Sequence, residues 1–208
     1  MTAPTLGRRA AALTLSLILG ASMTACGSDN PDEALPPAQQ KVLPTGTPSP
    51  TLTPSDVSSQ WRTVKGERFT IGVPATFREQ VTKTSKGTDM WLFDAPRSGK
   101  GEDLVRVAVI PDKDPKSSAI EQSYVLEQTQ SIGENKVTRS TVAWPTGQRA
   151  ILVQWSNPPS GDQDTGTETW QLFVQVDAKL ILNVVAVAPE GQLTANKLDQ
   201  IISTFRTV

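Results

Sequence analysis

The chain has 208 residues, 20 basic and 21 acidic side chains, and 37% hydrophobic residues. That composition suits one ordinary domain with extensions, and a net charge of -1 gives no basic footprint for nucleic acid. With no histidine and one cysteine, Ser-His-Asp and Cys-His catalysis, histidine metal sites and an internal disulfide framework are excluded.

Residues 1–25 read as an export signal. Arg8 and Arg9 form a positive n-region, and Ala10 to Ala21 form a short apolar h-region. As a helix that run rises only about 18 Å, well short of the ~30 Å hydrocarbon core of a bilayer. Met23-Thr24-Ala25-Cys26 follows it. This resembles a bacterial lipobox, with Met23 in place of the usual leucine. The resemblance implies a diacylglyceryl group on the Cys26 thiol and cleavage after Ala25. A lone thiol on an exported protein is open to unwanted disulfides, whereas a thioether is inert. Two acyl chains also meet the two-signal requirement for stable anchoring. Arg8-Arg9 can also be read as a twin-arginine signal, although Ala11 and Ala12 stand where that motif prefers bulkier apolar residues.

Residues 26–58 read as the lipidated cysteine and a disordered stalk. Between Gly27 and Ser58 the chain has seven prolines and no aromatic residue, too little apolar surface to offset its chain entropy. Its reach is roughly 30 Å as a flexible coil and ~100 Å if extended. Thr45, Thr47, Thr51 and Thr53 lie in a Pro/Thr context that an exported protein could have O-glycosylated; an unmodified spacer is the simpler reading.

Residues 59–208 hold all five tryptophans and all five phenylalanines and form the expected folded unit. Phe69, Ile71 and Val73 alternate with polar or small residues up to Pro74, as a half-buried strand does. Met90–Phe93 is a short apolar strand, and Val105, Val107 and Val109 mark another that Pro111 is expected to end. Ser118-Ala-Ile-Glu121 is a capping box, opening a helix to about Ile132 with Gly133 as its stop. Ile151, Val153 and Trp155 share one strand face, as do Trp170, Leu172, Val174 and Val176. Leu180–Val187 is almost continuously apolar, as a central strand covered on both faces would be. Leu198, Ile201, Ile202 and Phe205 make one helical stripe behind a possible Thr194 cap. Strands with two separate helices give an α+β class: an antiparallel β-sheet covered by helices.

The element order resembles the PsbP-like α/β/α sandwich, and more narrowly the small actinobacterial lipoproteins of the LpqN type. The resemblance rests on Arg68-Phe-Thr-Ile-Gly-Val-Pro74, the helix after Pro115, the Trp170–Val176 and Leu180–Val187 strand pair, and the closing Leu198–Phe205 helix. It implies a non-catalytic accessory or binding module.

No catalytic constellation stands out. Asp89 and Asp94 around Trp91, and Glu168 before Trp170, are conceivable glycosidase carboxylates, but read more simply as solvated strand ends beside core tryptophans. Asp162, Asp164 and Glu168 faintly resemble a calcium loop, yet the segment 157–168 is better explained as a polar hairpin loop. Asp112 and Asp114 read as a turn. Trp155 and Trp170 read as core, leaving Trp61 and Trp144 as candidates for exposure.

The expectation is therefore a protein held to the outer face of the cytoplasmic membrane by lipid on Cys26. It presents a non-enzymatic module, without cofactor or metal, to an envelope protein or wall component. The alternative is a carrier of an apolar small molecule or lipid in a cavity between sheet and helices.

Overall fold

The computed structural model describes residues 42–44, 52–97, 104–132, 135–145, 149–159 and 165–208. Expectations about residues 1–25, Cys26, Thr45, Thr47, Thr51, Gly133, Asp162 and Asp164 lie outside those described.

The elements in chain order are β1 (Trp61–Lys65), β2 (Phe69–Pro74), β3 (Arg78–Lys83), β4 (Asp89–Asp94), β5 (Arg106–Lys113), α1 (Ala119–Gln130), β6 (Val137–Ala143), β7 (Arg149–Asn157), β8 (Thr167–Asp177), β9 (Leu180–Pro189), α2 (Leu198–Ser203) and β10 (Arg206–Thr207). Seven strands form one sheet in the order β3-β4-β5-β9-β8-β7-β6, and every pair in it is antiparallel. A three-stranded sheet, β1-β2-β10, is separate. The α+β class expected from the sequence is the one observed.

Period-two alternation gives the large sheet two apolar faces. One carries Phe93, Val107, Val109, Val184, Leu172 and Leu152, in register across the strands. It packs against Phe69, Ile71 and Val73 of β2 and against Leu198, Ile201, Ile202 and Phe205 of the C-terminal segment. This face is thus covered by the small sheet together with α2, rather than by a helix alone. The other face sets Val153, Trp155, Phe173 and Ile181 beneath Ala119 and Leu126 of α1. β9 lies fourth of seven strands and is buried along most of its length, as its apolar run requires.

Ser118 caps α1 as read. Its side chain accepts from the Glu121 backbone N–H, and the Glu121 carboxylate accepts from the Ser118 backbone N–H at 2.8 Å. Five details differ from the sequence expectations. β5 runs through Pro111, because that proline lies past the last β4 partner, where one side of β5 is a free edge. The closing helix is only six residues long and starts at Leu198; Thr194 does not cap it, and Lys197 enters it at φ 60° with no side-chain cap. The strands β1, β3, β6 and β10 carried no strong apolar alternation. Trp144 is 6% exposed and belongs to the main core.

The fifth concerns the expected boundary at residue 58. Leu52 is 3% exposed and part of the main core, and the Ser55 backbone N–H donates to the Ser203 carbonyl at 2.9 Å. The end of the proline-rich segment is thus packed onto the domain, through Leu52 and Val57, aliphatic side chains of a kind that residues 44–51 lack. A second tie holds the segment further upstream. The Arg139 guanidinium donates to the Val42 carbonyl at 2.6 Å, to Glu127 at 2.8 Å and to the Ser123 hydroxyl at 3.3 Å.

Candidate binding cleft

Three connections meet at one end of the two-sheet core: the β1–β2 turn, the end of β5 and the β8–β9 turn. They enclose a cleft of about 550 Å³. Its floor is apolar, made by Pro111 and Leu180 with Ala178 at the edge, over the fully buried Phe69 and Leu182. Phe69 is fixed there by an edge-on contact with Trp91, centroids 5.1 Å apart, and by stacking on Phe205 at 5.7 Å. Such pairs add packing energy beyond the apolar area they bury, and hold Phe69 in the core beneath the cleft.

The rim is charged and held together by polar contacts between the three connections. Lys113 pairs with Glu67 at 2.7 Å, joining β5 to the β1–β2 turn. Arg68 pairs with Asp177 at 3.4 Å, joining that turn to the β8–β9 turn. The Asp114 backbone N–H donates to the Lys179 carbonyl at 2.8 Å, closing the ring. Asp177 also accepts from the Lys179 backbone N–H at 2.8 Å, which shapes the β8–β9 turn. The rim therefore carries three acids and three bases over an apolar floor. A volume in the ~300–1,000 Å³ range, mostly apolar with a few placed polar groups, is the usual build of a small-molecule site.

Sequence reading did not find this site, although a signal existed. Each of the three turns sets an acid beside a base: Glu67-Arg68, Lys113-Asp114 and Asp177-Ala-Lys179. Only the pairing of β5 with β9 brings the last two together.

The residues singled out from the sequence fall elsewhere. Asp89 and Asp94 stand at opposite ends of β4 and, five residues apart, on opposite faces. Asp89 is paired with Lys83. Asp94 receives Arg106 through both of its oxygens, and this hydrogen-bonded guanidinium lowers its pKa from the ordinary carboxylate value against the opposing effect of burial. Glu168 accepts from the Trp170 indole N–H at 3.0 Å and from the Gly191 backbone N–H at 3.3 Å. The three carboxylates are thus engaged separately and form no pair across a common cleft. Among the described residues no cluster of three or more potential ligands could hold a metal ion. Asp112, expected in a turn, lies instead in β5 opposite Ile181, and accepts from the Gln122 side chain at 2.8 Å. Trp155 and Trp170 are 9% and 6% exposed, as expected of core. Trp61 is half-buried against the main core. No described helix is long and apolar enough to cross a membrane.

No protein-family model matches the sequence, and a search of the curated proteins finds no significant match. Among solved structures, the chain is similar to the solution structure of cyanobacterial PsbP (CyanoP) from Synechocystis sp. PCC 6803. That likeness has a TM-score of 0.47 and 10% identity over 73% of this chain and 94% of that one. It is also similar to the Saccharomyces cerevisiae Ran-binding protein Mog1p, with a TM-score of 0.46 and 15% identity over 73% and 97% of the two chains. Likenesses at this level describe the path of a chain and say nothing of a site.

Proposed function

We propose that this protein is a lipid-anchored, extracytoplasmic binding module that engages its partner through the cleft at the β1–β2, β5 and β8–β9 end of the domain. The observation that carries the reading is the cleft itself: an apolar floor inside a rim of six charged side chains. Its side chains offer charge and apolar surface for recognition. The anchor rests on the lipobox-like Met23–Cys26 segment, and the LpqN-type resemblance is in keeping with it. An apolar carrier would need a chamber between sheet and helices. In that layer Ile181, Phe173, Val153 and Ala119 fill the space beneath α1, so the cleft is the better place for a ligand.

The test is photo-crosslinking in the host envelope with full-length chain carrying benzoylphenylalanine at Ala178, and at exposed Val81 of β3 as control. A discrete adduct by mass from position 178 and none from 81 supports the reading; no adduct from 178, or equal adducts from both, overturns it. Metabolic labelling with an alkyne-tagged fatty acid checks the anchor. The label should appear on the wild type and be lost in Cys26→Ser, and an unlabelled wild type would sink that half of the proposal.

A further inference from the structure

The rim charges are not equivalent. Two of the acids and two of the bases neutralise each other as the pairs Lys113–Glu67 and Arg68–Asp177. Among the described residues, the Asp114 carboxylate and the Lys179 ammonium have no ion-pair partner. They sit on adjacent turns that are tied backbone to backbone, Asp114 N–H to Lys179 carbonyl, so their separation is set by the fold. One anion and one cation, facing each other across neighbouring turns and in no ion pair with any described residue, therefore stand at the mouth of an apolar cavity.

That arrangement selects against three ligand classes. A wholly apolar molecule would cover Asp114 and Lys179 without replacing their water, and burying an unpaired charge is costly. A plain anion would gain Lys179 but face Asp114 on the same rim, and a plain cation would face the reverse. A molecule with both charges and an apolar body between or beside them satisfies the rim and the floor together.

We infer that the cleft binds a short apolar peptide in its free, zwitterionic form, with its amino terminus on Asp114, its carboxylate on Lys179 and its side chains over Ala178 and the edges of Pro111 and Leu180. This inference rests on the cleft being the binding site. The need for both termini on one ligand separates a free oligopeptide from the end of a longer protein, which offers only one. It also separates it from a lipid tail, which offers neither.

The experiment is isothermal titration of the full-length lipidated chain in detergent micelles with trileucine, N-acetyl-trileucine and trileucine amide. Trileucine should bind, and each block should weaken it about three- to fivefold, the effect of one partly exposed ion pair. Asp114→Asn should reproduce the acetyl effect and make acetylation indifferent; Lys179→Gln should do the same for the amide. Both residues are exposed at turns, so neither variant threatens folding. Blocked and free peptides binding alike would overturn the zwitterion assignment, as would failure of every form to bind. If trileucine fails while the position 178 crosslink persists, the ligand class is wrong and the cleft stands. If the crosslink is absent too, the cleft itself is the error.

Discussion

Replacing Arg139 by methionine should be among the most damaging single changes in this domain. The side chain is only 4% exposed and reaches from β6 onto α1. Its guanidinium pairs with Glu127 at 2.8 Å, donates to Ser123 and to the Ile120 and Val42 carbonyls, and lies 5.3 Å from the Tyr124 ring centroid. Removing one member of a buried ion pair costs about 3–5 kcal/mol, mostly because the other charge is left without compensation. The Glu127 side chain is 26% exposed and can recover some hydration, which places the cost near the lower end, about 3 kcal/mol. For a domain of this size that lowers Tm by about 6–12 °C. Urea unfolding of wild type, Arg139→Met, Glu127→Leu and the double variant would measure it. The double variant should be more stable than Arg139→Met, because it removes the orphaned carboxylate together with its partner. A loss under about 1 kcal/mol in Arg139→Met, or a double variant no better than the single, would refute the argument that this is a buried, coupled pair.

Other consequences are equally open to measurement. A Cβ at Gly72 would lie 2.6 Å from Val57, so Gly72→Ala should push residues 52–58 off the domain. The expected sign is faster limited proteolysis in that segment and a loss of about 1–3 kcal/mol, and an unchanged cleavage rate would count against its docking. Among the described residues the buried Trp144 indole N–H has no hydrogen-bond partner, so Trp144→Phe removes an unsatisfied donor as well as apolar area. Its cost should stay within about 1 kcal/mol, well below the ~3–5 kcal/mol of emptying a core aromatic site, and a larger loss by urea unfolding would contradict this. Arg106 lowers the folded-state pKa of Asp94, so the pair adds stability that is fully present above the unfolded carboxylate value. That contribution fades as pH falls through the folded value. The stability gap between wild type and Asp94→Asn should therefore be constant near neutrality and narrow below about pH 4. A gap that widens on acidification would reverse the sign.

How much of this architecture was legible depended on where each residue's partner lies. Alternation along Phe69–Val73, Ile151–Trp155 and Trp170–Val174 reports a buried face directly, and the core is built on those side chains. The capping box at Ser118 was legible for the same reason, since all its partners lie within three residues. Arg-Glu-Gln-Val-Thr-Lys of β3 has no apolar face to alternate. It is an edge strand whose charged, exposed residues blunt it against further pairing, and that purpose removes the signal that would reveal it. Leu52 was hidden by its surroundings: a leucine among prolines and threonines reads as spacer until the surface that receives it is known.

The cleft was hidden by something different. An acid beside a base in a turn is the ordinary composition of a solvated turn, so Glu67-Arg68, Lys113-Asp114 and Asp177-Ala-Lys179 each look unremarkable alone. What makes them a site is the order β5-β9-β8 in the sheet, which sets the end of β5 beside the start of β9 although α1, β6, β7 and β8 intervene in the chain. The small sheet then brings Glu67 and Arg68 over the same end and ties them to both turns. Each pairing is long-range, and each uses up charge that a local reading would assign to solvent. The residue left over on each neighbouring turn, Asp114 on one and Lys179 on the other, is defined only after the two pairs are subtracted. On the proposed reading, specificity in this cleft comes from the difference between six charges and two completed bridges. For that reason breaking a bridge should alter ligand choice as surely as removing Asp114 or Lys179. Lys113→Met would leave Glu67 uncompensated on the rim and shift the preference toward a ligand bearing net positive charge, an outcome readable by titrating trileucine against its amide.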